Sequence, residues 1–346
     1  MSGWEPPTPA EGNRSEPRTY WSRPQEGDPL NPGQLIRRAW RLYRSMPRLF
    51  VLIAIVPSLL QVVVSIPTLS TTVRAVERMV QITVDYLAAV TANPGAYGPA
   101  EAAALQAELQ AQLQAVAVPA TDLAAVTALG GGLATAVALL GTAALTAAGL
   151  SVAAGRPVPA AFAYRLIGAR PGLVKPILAI ALGWVAAAWL PSLLASSSDF
   201  QAWAGEPGSP RSILLASLFS VVALVVLVAV IVFAVRWALF IPAVLVESLG
   251  VGAGLARAAE LSRGLRIRLA LAIVGLYLLQ AFSVGIAATA VGFAIGLSIG
   301  SVAAGFAGYL SVGFLGNVLF APLGPAMLAI VYRDRTHGGA VGATST

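Results

Sequence analysis

Three uncharged amides stand inside otherwise apolar stretches of the chain: Gln61, Gln280 and Asn317. A carboxamide offers two N–H donors and a carbonyl acceptor. In hydrocarbon such a group must find a partner, because no water is there to satisfy it. Counted from the nearest basic flank, each amide lies roughly 18–24 Å deep at 1.5 Å per residue. Grouped, they would form a polar intramembrane cluster able to hold an uncharged solute; taken singly, they bond neighbouring helices together. Most other chemistry is excluded. The chain has no Cys and a single His, His337, in the polar C-terminal stretch. That removes disulfides, thiolate ligands, Cys nucleophiles and multi-His metal sites. No Walker loop, HExxH or paired-carboxylate site occurs. No Asp or Glu lies well inside an apolar stretch, which weighs against ion- or proton-coupled transport. The sequence predicts a non-enzymatic protein with no cofactor and no metal.

The elements that would position those amides are membrane helices. Of 346 residues, 57% are hydrophobic and 11% charged, against about 25% charged in a typical soluble domain. Residues 1–32 carry seven prolines and no hydrophobic period, which predicts a disordered tail. Residues 33–336 read as an all-α, polytopic membrane domain of six spans arranged as three hairpins, with 337–346 a second disordered tail. The spans fall at about 49–67, 123–150, 177–196, 213–235, 269–297 and 302–332. Residues 68–122 are polar enough to leave the bilayer and read as a helical hairpin, Thr71–Thr91 and Ala100–Val118. From Leu269 to Val331 there are 63 residues without a charge. Two spans fit there with a turn near Ser298–Ser301. The stretch 236–247 is too short to cross, so it reads as interfacial or as a bent continuation of the fourth span.

Charge gives the topology. With the N-terminus inside, nineteen Arg and Lys fall on the inner segments and three on the outer ones. The positive-inside rule then places both termini in the cytoplasm; twenty-one Arg to one Lys, with much Ala, Gly and Pro, point to a bacterial genome, so the expected site is the inner membrane. Residues 34–48 form a basic amphipathic helix, with Leu35, Ile36, Ala39, Trp40, Tyr43 and Met46 on one side. Such a helix suits the membrane interface. Similar basic pieces precede the third and fifth spans. The expected partners are anionic lipid headgroups, held by Arg37, Arg41, Arg44, Arg48, Arg165, Arg170, Arg257, Arg263 and Arg266. Nucleic acid is not expected; a membrane or peripheral protein partner is left unidentified.

Small residues point to packing. Gly292, Gly296, Gly300, Ala304 and Gly308 recur every four positions, which lets helices approach closely in lipid. Gly130–Gly132 invites either close packing or a local unwinding of the kind that binds solutes in transporters.

Three stretches carry a family resemblance: GQLIRRAWRLYRS at 33–45, RWALFIPAVLVESLGVGAGLARAAELSRG at 236–264 and PLGPAMLAIVYRDRT at 322–336. They resemble the membrane domain joined to bacterial glycerophosphoryl diester phosphodiesterases and its stand-alone relatives. Pro242, Glu247, Arg257, Gly264, Tyr332 and Asp334 match that pattern, with Arg333 or Arg335 as its closing basic residue. The usual Ser of the family helix is replaced by Ala258 or Ala259. The resemblance implies a six-helix membrane module without the phosphodiesterase activity. Its expected role is a membrane anchor, scaffold or homeostasis factor. The alternative is a transporter or permease subunit for a lipid-like or uncharged solute.

Overall fold

The computed structural model describes residues 31–92, 99–116, 120–196 and 209–342. The expectations for 1–30, 93–98, 117–119, 197–208 and 343–346 lie outside them. Every regular element among the described residues is helical.

Helix α1 (Pro32–Ser45) starts on an Asn31 cap, whose Oδ1 accepts the Gly33 N–H at 3.2 Å, with Pro at the first helical position. Met46 breaks it, and Pro47 opens α2 (Pro47–Ala92). Proline suits a first helical position because its missing N–H is not needed there.

Helix α2 runs unbroken through the expected boundary at residue 67. The first span and the outer helix 71–91 are one helix of 46 residues, roughly 69 Å long at 1.5 Å per residue. Pro57 and Pro67 lie inside it. A proline in a membrane helix frees one carbonyl, which neighbours can satisfy. At Pro57 that carbonyl belongs to Ile53, and the Tyr164 hydroxyl donates to it at 2.7 Å. At Pro67 the hydroxyls of Ser70 and Thr71 bond back to the proline's own carbonyl, each at 2.9 Å. Propagating an existing helix past one lost bond is cheaper than starting another.

The chain continues through α3 (Pro99–Val116), α4 (Ala120–Ala153), α5 (Ala160–Gly168) and α6 (Pro171–Ser196). Helix α5 and the start of α6 meet at 81°. Then follow α7 (Pro210–Arg236), α8 (Phe240–Glu247) and α9 (Val251–Leu261). Helix α10 (Arg266–Gln280) passes through a π-helical turn (Ala281–Gly285) into α11 (Ile286–Ile299). Helices α12 (Val302–Phe320) and α13 (Leu323–Gly342) close the chain. The turn between α11 and α12 falls within the expected stretch. Gly300 takes a left-handed φ of 69°, and the Ser301 hydroxyl caps α12 by accepting the Ala304 N–H at 3.3 Å.

Among the described residues four helices are long and apolar enough to cross a membrane: Pro47–Ala92, Ala125–Ala153, Arg266–Ile299 and Val302–Thr336. The bent α5–α6 pair makes a fifth. The chain is therefore a helical, multi-pass membrane protein with four to five such helices in view rather than six.

Helix α4 lies at the centre, packed against α2, α6 and α13. The buried core gathers at one end of the bundle, where most of the basic residues also lie. It draws on α1, the start of α2, the end of α4, α5, α8, α9 and α13. Two expectations are corrected there. The apolar stripe of α1 does not face lipid. Leu35, Ala39, Leu42 and Tyr43 are buried in the protein, and only Trp40 is well exposed. An apolar stripe satisfies itself against helices as readily as against hydrocarbon. Past α7 the stretch 236–247 turns at Trp237–Leu239 into α8, whose Pro242, Ala243, Val244 and Leu245 are buried. Finally, α13 runs on to Gly342, past the expected boundary at 337, again because extending a formed helix costs little.

Candidate functional site

The structure brings the three amides together. Gln280 Nε2 donates to Asn317 Oδ1 at 2.8 Å, and Asn317 Nδ2 donates to Gln61 Oε1 at 3.4 Å. The residues come from α10, α12 and α2. Gln61 and Gln280 each lie fourteen residues from the basic start of their helix, so both sit roughly 21 Å from that end at 1.5 Å per residue.

Local backbone sets the meeting. Gln280 is immediately followed by the π-helical turn, a form that recurs at functional sites because it rotates the helix face. Val284 of that turn presses on α12 at Gly316. A Cβ on Gly316 would come within 2.3 Å of Val284 Cγ1, so no larger residue fits without a shift. Gln61 and Asn317 border a cleft of about 280 Å³ between α2 and α12, with Gln280 behind Asn317. Ser58, Ser65, Val284, Leu310, Gly313 and Phe314 complete most of its wall. The Ser65 hydroxyl is spent on its own helix, donating to the Gln61 backbone carbonyl at 2.8 Å.

Tyr309 also lines a second space of about 650 Å³, farther along α12 from the basic end. This groove is apolar, with Val80, Phe293 and Phe306 beside Gly292, Gly296 and Gly305. Here the small-residue stripe divides. A Cβ on Gly292 would meet the Gly305 carbonyl at 2.8 Å, and one on Gly308 would meet Ile295 Cδ1 at 2.7 Å. Gly296 faces Gly305 Cα at 3.4 Å. Gly300 packs against nothing within 4 Å; it supplies the turn. Ala304 is only partly buried, and its neighbour Gly305 makes the close contact instead. Counting fours straight across a turn missed Gly305. Gly130–Gly132 stays helical within α4, and Gly132 packs so closely on α6 that a Cβ would meet Val185 Cγ2 at 2.4 Å.

A different polar cluster closes the basic end. Glu247 of α8 accepts from Arg257 Nε of α9 at 3.1 Å and from the Tyr332 hydroxyl of α13 at 2.8 Å. Arg257 also donates to Glu260 at 2.9 Å. The carboxylates of Glu260 and Glu247 hold the Arg257 guanidinium above its ordinary pKa. Arg38 of α1 pairs with Asp334 at 3.2 Å, and Arg335 donates to the Arg263 carbonyl at 3.1 Å. Ser262, fully buried, donates to the Arg236 carbonyl at the end of α7. The three stretches that carry the family resemblance thus converge through side chains.

The residues expected to hold lipid headgroups therefore differ in what they do. Arg37, Arg41, Arg44, Arg48, Arg165, Arg263 and Arg266 are exposed. Arg257 is occupied by Glu247 and Glu260, and Arg170 bonds the Ser248 hydroxyl. A direct Arg236–Glu247 pair would have needed a bend at Pro242; Glu247 pairs with Arg257 instead. Compared with known proteins, the chain matches no family model, no curated protein and no solved structure.

Proposed function

We propose that this chain is a non-enzymatic, six-span module of a bacterial inner membrane, both termini cytoplasmic, whose basic end rests on anionic headgroups as an anchor, scaffold or homeostasis factor. Counting α7 as a crossing gives the sixth span. One observation carries the reading. The described acids at the basic end, Glu247, Glu260 and Asp334, are all paired internally by Arg257 and Arg38. The exposed rim, Arg37, Arg41, Arg44, Arg48, Arg165 and Arg266, keeps its positive field for the membrane surface. Each such residue near an anionic leaflet contributes on the order of 1 kcal/mol. Kinship with the phosphodiesterase-linked membrane domains is part of this proposal. What supports it is the convergence of Glu247, Arg257, Tyr332 and Asp334 at one end.

Changing Arg37, Arg41 and Arg44 to Gln in the full chain should cut the anionic lipid retained after purification several-fold, read by native mass spectrometry. Unchanged retention would overturn the surface role. For orientation, single cysteines replacing Ala96 and Ala204 should label from outside, and those replacing Ala160 and Ala340 from inside. The reverse pattern would invert the topology.

The amide cleft favours a second reading, binding or passage of an uncharged lipid-like solute. Helix α4 stays wound at Gly130–Gly132, so the break such a carrier would use is the π-helical turn after Gln280.

A further inference from the structure

The three amides do not satisfy one another completely. Within the described residues, the Gln61 side-chain N–H groups and the Gln280 side-chain carbonyl have no hydrogen-bond partner. Nor does the Ser58 hydroxyl, although Ser58 is only 5% exposed. No sealed side-chain oxygen or nitrogen among the described residues lacks a partner. These three groups are therefore not sealed in; Ser58 and Gln61 line the cleft, while Gln280 stands behind Asn317. Leaving them bare at membrane depth is costly, because hydrocarbon offers nothing in exchange.

Their chemistry selects an occupant. At the cleft Gln61 supplies donors, and Ser58 can donate or accept. A hydroxyl group, which both accepts and donates, answers both. The cleft lining holds no charged residue, so a phosphate or ammonium there would be uncompensated. Its volume, about 280 Å³, equals about nine waters at roughly 30 Å³ each, enough for a small head and not a sugar chain. Its rim is apolar, with Val62, Val284, Leu310 and Phe314. On α2 the neighbouring Leu59, Leu60, Val63 and Ile66 are exposed to the surrounding hydrocarbon. We infer that the cleft binds the uncharged hydroxyl head of a lipid alcohol while its chain stays in the bilayer. This goes beyond the anchoring role and gives the second reading its ligand, resting on the same cleft but not on passage across the membrane.

The test uses the full chain in nanodiscs and a long-chain alcohol carrying a diazirine in its chain. The same chain ending in a phosphate or in a methyl group serves for comparison. Photolabelling by the alcohol should concentrate in peptides covering 58–66 and 309–317, at least fivefold over either comparison probe. Gly313→Leu should abolish it. A Cβ on Gly313 meets nothing within 4 Å, so the new side chain fills the cleft and leaves the amides in place. Ser58→Ala should lower labelling several-fold, and it decides the matter should the leucine variant fail to fold. Equal labelling by the methyl-ended probe would mean ordinary boundary lipid. Stronger labelling by the phosphate probe, or full competition by free glycerol, would equally overturn the proposal. Labelling without any flux in liposomes keeps the binding site and removes transport.

Discussion

The two ends of this bundle are built on opposite principles. At the basic end, short helices cap the spans, each described acid is paired with an arginine, and residues such as Phe50, Leu239 and Met327 are fully enclosed. Toward the far end, α10 and α11 expose Tyr277, Phe282, Ile286, Phe293 and Leu297, and backbones meet through glycine. In lipid, apolar exposure carries no penalty, so helices associate through packing and hydrogen bonds. The basic end uses both. The far half groups its three amides around one cleft and leaves the apolar side chains of α10 and α11 to the bilayer. A fixed platform and an accommodating seam can thus share the same helices.

The largest test of that contrast compares two phenylalanines. Phe50→Ala opens a void in a closed environment and should cost about 3 kcal/mol, the lower end for such a truncation. Phe293→Ala, at a residue 69% exposed, should cost under about 1 kcal/mol, since little packing is lost. Unfolding of both variants in detergent by a graded denaturant measures the difference, and equal losses would erase the distinction between the ends. Next comes Glu247→Leu, which strands Arg257 Nε and the Tyr332 hydroxyl. A loss of about 2 kcal/mol is expected, in line with hydrogen bonds to charged groups. Arg257 keeps Glu260, so the effect stays below that of Phe50→Ala. The smallest test pairs two glycines. Gly141→Ala places a Cβ 2.7 Å from the Pro57 ring and should destabilise by about 1 kcal/mol through overpacking. Gly313→Ala enters open space and should stabilise by up to about 1 kcal/mol through helix propensity. A destabilised Gly313→Ala would mean that the cleft is not the open space described.

The sequence made some of this legible. Gln61, Gln280 and Asn317 stood out because polar residues in apolar runs are few and must be partnered. The turn at Gly300–Ser301 was legible because a long charge-free run must fold back, and Gly and Ser supply both halves of the cap. Other features left no readable trace. The stripe of Leu35, Ala39 and Leu42 looks the same whether protein or lipid will cover it. Pro67 reads as a stop, although a membrane helix can carry it. Nothing in Ala281–Gly285 announces a π-helical turn, nor that its Val284 will meet Gly316 across the interface. Glu247 and Tyr332 are 85 residues apart, and only the fold joins them.

The bond between Tyr164 and Ile53 has a consequence in time. The two residues are separated by 111 positions. A ribosome adding roughly 5–20 residues per second makes Tyr164 about 6–20 s after Ile53. Through that interval the first span is already complete, and the carbonyl released by Pro57 has no tyrosine to meet. Until α5 is made, water or a neighbouring group has to serve that carbonyl, so the lock between α5 and the first span closes late.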